Sequence, residues 1–155
     1  MIVYRLAAKQ YIDDRTGAGA KLFGGRWNPV GLACIYASEH ISLALLEKFV
    51  HAEHKENMQR IALMHIEIPD TASLVFNTDE KLLKKSWADD ISYSQFIGEQ
   101  VLNDPDVIAF TVPSAIIPLE RNVILNPRAA AFDQIKFLKV TDFTTDFRLL
   151  SKLIS

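Results

Sequence analysis

Three residues of chemically useful types stand at regular intervals in the first third of the chain. Arg26 follows two glycines, Tyr36 comes ten positions later, and Glu47 comes eleven positions after Tyr36. A guanidinium matches phosphate oxygens in a bidentate way, and a carboxylate can hold a hydroxyl or stabilise developing positive charge. If the fold brings these groups together, they predict a site for a charged, planar, phosphorylated ligand. Nucleotide chemistry is therefore the first hypothesis.

Each of these residues also has a plainer interpretation. Arg26 beside Gly24 and Gly25 could form a surface ion pair. Glu47 shares a flank of a predicted helix with Leu43 and Val50, where a carboxylate can simply mark the edge of the apolar face. Spacing alone leaves the functional and the structural interpretation of both residues open.

A metal site is a further alternative in the same segment. Glu47, His51 and His54 are spaced four and three positions apart, so that a helix places them on one face. However, charged neighbours such as Glu53 and Glu56 are typical of the polar end of an amphipathic helix. We therefore expect no metal.

Ser114 follows Pro113 at the end of a predicted strand. No Gly-x-Ser-x-Gly motif surrounds it, so we do not expect a nucleophilic serine. A hydroxyl that orients a ligand or caps the chain turn is the better interpretation. Asn122 and Asn126 bracket another strand, and we expect them to tie down turns.

Hydrophobic patterning predicts a mixed α+β fold of about six strands and two main helices. Asp13 to Gly25, rich in Gly, Asp and Ala, is predicted to be a long loop. Ser38 is the expected N-cap of the first main helix, and Asp90 is that of the second. The predicted strands are Ile2–Leu6, Ala33–Ala37, Arg60–Ile68, Leu74–Phe76, Val107–Val112, Asn122–Leu125 and Ile135–Val140; the predicted helices are Glu39–Glu53, Asp79–Lys85 and Ile91–Leu102.

Composition limits the function classes. The chain has 155 residues and a mass of 17.5 kDa, which suits one domain over residues 1–155. A formal net charge of −2 argues against direct binding to nucleic acid. The single cysteine, Cys34, fits a reducing compartment, and no apolar run is long enough for a membrane span. We expect a cytoplasmic protein with no membrane contact.

Taken together, these segments resemble the RES domain, a family named for an arginine, a glutamate and a serine. The resemblance runs in family order from Tyr4 to Pro127 and so covers most of the chain. Any one piece is weak, but the ordered set is specific. The matching pieces are Tyr4-Arg5, the stretch from Gly24 to Gly31, Ile35-Tyr36-Ala37-Ser38, Leu43-Ala44-Leu45-Leu46-Glu47, Val112-Pro113-Ser114 and the stretch from Asn122 to Pro127.

The resemblance implies a toxin of a bacterial toxin–antitoxin system with an ADP-ribosyltransferase-like fold: a mixed β-sheet core with flanking helices. It implies an enzyme that degrades NAD, its substrate, by cleaving the nicotinamide–ribose bond through hydrolysis or phosphorolysis. The alternatives are an ADP-ribosyltransferase that modifies a protein target and a non-catalytic ligand-binding module. The implied partner is an Xre-like helix-turn-helix antitoxin, through which the toxin could form an oligomer.

The resemblance also assigns roles to residues. The arginine, glutamate and serine of the family name fall on Arg26, Glu47 and Ser114, and Tyr36 completes the catalytic set. Arg26, Tyr36, Arg5 and Asn126 are the expected NAD-binding residues. In these roles Glu47 would stabilise the positive charge that builds on the ribose, and Arg26 would hold the diphosphate.

Overall fold

The computed structural model describes residues 1–52 and 54–152. Within that part of the chain, seven strands and four α-helices alternate with short 3-10 turns. In chain order they are β1 (Ile2–Ala8), α1 (Ala18–Phe23), β2 (Ile35–Ser38), α2 (Ile41–His51), β3 (Ile61–Glu67), β4 (Val75–Asn77), α3 (Ile91–Leu102), β5 (Ala109–Pro113), β6 (Arg121–Leu125), β7 (Lys136–Phe143) and α4 (Phe147–Leu150).

The strands form one sheet in the order β4-β5-β6-β2-β1-β3-β7. Only β4 and β5 pair in parallel; the other neighbouring strands are antiparallel. The sheet is therefore mixed, as the sequence predicts. The apolar residues on both faces of β3 place it between β1 and β7, where it is paired along both edges.

Hydrogen bonding between strands is interrupted near the middle of the sheet, between β2 and β1. β1 pairs with β3 along its whole length, and β2 pairs with β6 along its whole length. Between β1 and β2, however, the register contains the single pair Tyr4 and Ser38. Beyond this pair the two strands are not paired, and Arg5 of β1 and Tyr36 of β2 line one cavity. This cavity is the candidate site.

Two apolar cores cover the faces of the sheet. One contains Val3, Ile35, Ile66 and Leu125. The other packs Trp27 and Trp87 over Phe110 and Ile124 of the neighbouring strands, and α3 contributes Leu102 to it. Burying these side chains removes apolar surface from water, which is the main favourable term that holds the layers together.

The sequence predicts α3 well and α2 less well. The predicted helix Ile91–Leu102 is confirmed, and the Asp90 carboxylate accepts a hydrogen bond from the Tyr93 N–H as an N-cap should. Helix α2 begins at Ile41 with His40 at its N-cap, so the assignment of Ser38 as the cap is wrong. Ser38 instead ends β2. The predicted end of this helix, Glu53, lies outside the described residues.

Three other predictions need correction. The total of about six strands is one too low, since all seven predicted strand segments take part in the sheet. The predicted helix over 79–85 is a single 3-10 turn, Glu80–Leu82. A segment this short forms too few hydrogen bonds to offset the free-energy cost of starting an α-helix. The predicted loop over 13–25 contains α1. The Asp14 carboxylate accepts hydrogen bonds from the N–H groups of Gly17 and Ala18, and so starts a helical turn despite the glycines.

No helix in the described residues combines the length and the apolar character that crossing a membrane requires.

Candidate active site

A cavity of about 510 Å³ lies where β1 and β2 separate. Its walls come from these two strands, from the turn that carries Arg26, and from one face of α2. Residues spaced three or four apart on a helix lie on one face, which is why α2 presents several side chains to the cavity. The residues from α2 are Ala44, Glu47, Lys48 and His51; the other residues used below are Tyr4, Arg5, Phe23, Gly25, Arg26, Cys34, Tyr36 and Asn122.

The Glu47 carboxylate is held in one orientation by two side chains from the sheet. Ser114 Oγ donates to Glu47 Oε1 over 2.9 Å, and Asn122 Nδ2 donates to the same oxygen over 2.6 Å. Hydrogen bonds to an ionised group are stronger than those between neutral groups. Because both donors bind Oε1, Oε2 is the oxygen left for a ligand.

The two donors are themselves fixed. Ser114 is fully buried, and its Oγ accepts hydrogen bonds from the N–H groups of Ile116 and Ile117. These bonds direct its own hydrogen toward Glu47. Ser38 Oγ donates to Asn122 Oδ1 over 2.7 Å, which orients the amide so that its NH₂ faces Glu47. The glutamate therefore lies at the end of an ordered polar chain rather than at the edge of an apolar face.

Tyr36 holds the Arg26 turn. Its Oη donates to Asn28 Oδ1 over 2.7 Å and accepts from the Trp27 N–H over 3.0 Å. Burial raises the pKa of Tyr36 above its ordinary range, so the phenol stays neutral. A Cβ on Gly25 would lie 2.7 Å from this Oη, so only glycine lets the turn approach the ring. Tyr36 lines the cavity and also sets the position of its neighbour Arg26.

Arg26 reaches the cavity from this turn. Its Nη1 donates to the carbonyl oxygen of Ala88 over 2.8 Å, and the guanidinium lies 5.9 Å from the centre of the Trp87 ring. An arginine side chain carries five N–H donors, so this contact leaves most of them for a ligand. Arg26 and Glu47 thus line one cavity, as their spacing suggests.

The structure brings Arg5 to the cavity but not Asn126. Arg5 extends from β1, and its Nε is buried without a hydrogen-bond partner among the described residues. Asn126 is buried elsewhere, where its Nδ2 donates to the carbonyl oxygens of Leu102, Asp104 and Val107. Through these hydrogen bonds Asn126 stabilises the loop that follows α3.

The described residues do not bring Glu47, His51 and His54 together as a group that could hold a metal ion. Among residues 1–52 and 54–152, no three His, Cys, Asp or Glu side chains cluster in a way that could hold a metal ion. His51 Nδ1 instead contacts the carbonyl oxygen of Glu47 over 2.8 Å. Cys34 lies in the cavity wall, and burial raises its pKa to about 12, so the thiol stays protonated.

Sequence reasoning missed two members of the Glu47 network. Asn122 was expected to tie down a turn, and Ser38 to cap a helix, yet both support the carboxylate. They are direct register partners on β2 and β6. Two polar residues opposite each other at the ends of paired strands are the pattern that could have revealed them, but only once the register was known.

The sequence is similar to a known domain family and to several toxins. A sequence model of the RES domain matches residues 2–147. A protein of Photorhabdus laumondii named "Toxin Res" is 38% identical over 97% of each chain. A "Toxin Res" of Yersinia enterocolitica is 32% identical over 96% of this chain and 99% of its own. A protein of Sphingobium sp. named "Prs ADP-ribosylating toxin" is 37% identical over 90% of this chain and 89% of its own.

The fold also matches a solved structure. The crystal structure of the M. tuberculosis MbcT-MbcA toxin-antitoxin complex contains a chain that superposes with a TM-score of 0.76. The match covers 98% of this chain and 87% of that chain, at 23% identity. The likeness at this identity concerns the fold.

Proposed function

This chain belongs to the RES domain family, a family of toxins, and we propose that it degrades NAD by cleaving the nicotinamide–ribose bond. The observation that carries this proposal is the Glu47 carboxylate. It is held at one oxygen by Ser114 and Asn122 and lines the same cavity as Arg26 and Arg5. An oriented anion beside two cations suits a ligand with a cationic ring at one end and a diphosphate in its middle.

Glu47 is the proposed catalytic residue. Breaking the bond from C1′ of the ribose to the nicotinamide nitrogen leaves positive charge on the sugar, as in glycoside hydrolysis. Oε2 can accept a hydrogen bond from a ribose hydroxyl while the carboxylate stabilises that charge. Nicotinamide leaves as a neutral group, so no general acid is needed. Ser114 acts through Glu47, because it is fully buried and its hydroxyl is already bonded to the carboxylate.

The remaining residues bind and orient. Arg26 and Arg5 contact the diphosphate through their guanidinium groups. The face of the Tyr36 ring contacts the nicotinamide ring, while the Tyr36 hydroxyl holds the turn that carries Arg26. We assign Asn126 no contact with NAD, because its amide is bonded into the loop after α3.

A second candidate is transfer of ADP-ribose to a protein. The relative named as a Prs ADP-ribosylating toxin favours it, since this chain matches most of that protein. Both reactions break the same bond and differ in what attacks C1′. The Glu47 site serves either reaction, so the acceptor must be determined by experiment.

The proposal includes a partner and a location. By family resemblance, we propose that an Xre-like helix-turn-helix antitoxin neutralises the chain, and an antitoxin accompanies the toxin in the structural neighbour. An oligomer could form through that antitoxin.

We further propose that residues 1–155 form one domain, since every strand described here belongs to one sheet. We also propose that the protein acts in the cytoplasm, where NAD is abundant and a lone cysteine stays reduced.

The test is a time course of NAD concentration with purified protein, with and without inorganic phosphate. We expect NAD to disappear and nicotinamide to appear in equal amounts. Glu47→Gln keeps a side chain of similar size but loses the negative charge, so turnover should fall at least about 100-fold. Glu99→Gln, on α3 and outside the cavity, is the matched control and should retain full activity.

Product analysis separates the alternatives. ADP-ribose indicates hydrolysis, and its 1″-phosphate indicates phosphorolysis. Labelled ADP-ribose on a protein, with little free product, would instead identify a transferase. Full activity of Glu47→Gln would overturn the mechanism. Binding of NAD without turnover by folded protein would point to a binding module.

A further inference from the structure

A second, larger cavity adjoins the first. It has a volume of about 1240 Å³ and lies between β1, α1 and the segment that precedes β3. Arg5 and Phe23 line both cavities, so these two side chains stand where the cavities meet. The proposed function places a diphosphate at Arg5 but assigns nothing to Phe23 or to the second cavity.

Large apolar side chains are exposed around this second cavity. Phe23, the last residue of α1, is 78% exposed, and Leu22 and Tyr11 are exposed as well. All three side chains line the second cavity. A single exposed apolar residue is ordinary on a protein surface, whereas a group of them around one cavity is typical of a surface that binds a ligand.

The helix that carries Phe23 is attached to the turn that carries Arg26. Asn28, two residues after Arg26, donates from Nδ2 to the carbonyl oxygen of Ala20 on α1 over 2.8 Å. The Oδ1 of the same asparagine accepts from the Tyr36 hydroxyl. The backbone of α1 is therefore held in a fixed position relative to the proposed NAD-binding residues. A contact surface that is fixed in advance loses little conformational entropy when a ligand binds.

The adenosine half of NAD has the chemistry that this surface fits. With the nicotinamide at Glu47 and the diphosphate at Arg5, the adenosine extends toward the side on which the second cavity opens. Adenine has flat faces on which aromatic side chains stack, and its edge can pair with side-chain amides. Phe23 supplies an aromatic face, and the amides of Gln10 and Gln59 line the same cavity.

We propose that Phe23 stacks on the adenine ring of NAD, and that the second cavity is the subsite for the adenosine half. This inference rests on the proposed NAD cleavage for the identity of the ligand. Its first test uses adenosine diphosphate (ADP), which contains the adenosine and the diphosphate but no nicotinamide, so that test does not require cleavage.

Calorimetry compares the binding of ADP with that of pyrophosphate, which carries the diphosphate without adenosine. We expect saturable binding of ADP to the wild-type protein. Phe23→Ala should weaken ADP binding about tenfold, because the stacking surface is lost, and should leave the affinity for pyrophosphate unchanged. Phe23→Tyr keeps an aromatic ring and should retain most of the affinity for ADP.

Phe96→Ala is the matched control. It removes another phenylalanine, which is 59% exposed on α3 and lies outside both cavities. This variant should bind ADP as the wild type does. Because both phenylalanines are exposed, Phe23→Ala and Phe96→Ala should also melt at the same temperature as the wild type.

Stacking has a spectroscopic signature as well. In Phe23→Trp, the new indole should lose fluorescence when ADP binds, because a stacked base quenches it, and pyrophosphate should leave the emission unchanged. Trp27 and Trp87 are buried, and a parallel titration of the wild-type protein supplies their background. Unchanged emission of Phe23→Trp with bound ADP would contradict stacking.

Kinetics show which end of the substrate Phe23 contacts. Nicotinamide mononucleotide contains the bond that is cleaved but no adenosine. Phe23→Ala should raise KM for NAD about tenfold with little change in kcat, and it should leave kcat/KM for the mononucleotide unchanged. Equal losses with both substrates would place Phe23 against the nicotinamide and overturn the adenine subsite.

The ADP titration also separates this subsite from the proposed reaction. Failure of the wild-type protein to bind ADP, or equal affinity of the wild type and Phe23→Ala for ADP, would overturn the subsite. If ADP binding depends on Phe23 but NAD is not cleaved, the subsite stands and the proposed reaction fails.

Discussion

At the scale of single residues, the orientation of Glu47 is set by hydrogen bonds from neighbouring side chains. Ser114 and Asn122 donate to one carboxylate oxygen, while Ser38 and the backbone N–H groups of Ile116 and Ile117 fix these donors. Such an arrangement is oriented before the substrate arrives, so little reorganisation is needed during the reaction. Removing any donor should therefore affect turnover more than substrate binding.

Ser114→Ala tests this expectation. The change removes one hydrogen bond to the charged carboxylate, so kcat should fall about tenfold to a hundredfold while KM changes little. Two N–H groups also lose their acceptor, and the free energy of unfolding should drop by about 1–3 kcal/mol. Steady-state kinetics and urea unfolding measure the two effects.

The control for this variant is Ser86→Ala, since the Ser86 side chain makes no cap hydrogen bond. It should match the wild type in both measurements. A Ser114→Ala enzyme with unchanged kcat and a raised KM would contradict a positioning role.

Cys34 gives a prediction that depends on pH. Burial raises its pKa to about 12, and the thiolate is the reactive form. At pH 8, well below that pKa, the folded protein should react with iodoacetamide far more slowly than the same protein in denaturant. Mass spectrometry of timed samples measures the difference. Equal rates in both conditions would show that the thiol is exposed.

At the scale of elements, the Arg26 turn is held by its fit against α3. Gly98 of α3 contacts the backbone of the turn so closely that an added Cβ would lie 1.7 Å from the Trp27 carbonyl oxygen. Gln95, one turn earlier on α3, donates to the Gly25 carbonyl oxygen over 2.9 Å. A helix far from Glu47 in sequence thus positions Arg26, the arginine that we propose binds the diphosphate.

Gly98→Ala should force α3 and the turn apart. Since neither backbone can shift cheaply, we expect the free energy of unfolding to fall by about 3 kcal/mol or more, with loss of NAD cleavage. Denaturant unfolding followed by circular dichroism measures the first effect. A variant with wild-type stability would mean that this contact is looser than described.

Gly19→Ala on α1 is the matched control. A Cβ there would meet nothing within 4 Å, and alanine is the better helix former. This variant should be as stable as the wild type or more stable by about 0.5–1 kcal/mol.

At the scale of the whole molecule, the divided sheet explains why one cavity gathers residues from distant parts of the chain. The β1–β3–β7 half contributes Arg5, and the β2–β6 half contributes Tyr36 and Asn122. Because these halves meet at one register pair, the space between them stays open for a ligand.

Expression of the chain in bacteria should reveal the activity of the intact molecule. If it degrades NAD, cells that produce it alone should stop growing as their NAD content falls. Cells that produce Glu47→Gln to the same level should grow normally, and co-expression of the wild-type chain with its proposed antitoxin should restore growth. Growth curves and NAD assays measure both effects. Arrest without NAD loss would favour ADP-ribosylation of a protein.

The predicted family and the α+β fold class are confirmed, and local features of the sequence account for both. Apolar patterning located every strand to within a few residues, because burial on a sheet imposes that pattern. Asp90 marked the start of α3 since its carboxylate caps the helix locally. The types and order of Arg26, Tyr36, Glu47 and Ser114 pointed to the RES domain before any contact was known.

Only the tertiary structure decided which side chains complete the site. Asn122 and Ser38 support Glu47 because β2 and β6 pair in one particular register, and no local pattern encodes a register. The position of Asn126 also depends on contacts between distant parts of the chain. Its amide donates to the carbonyl oxygen of Leu102, a contact that no local sequence pattern predicts.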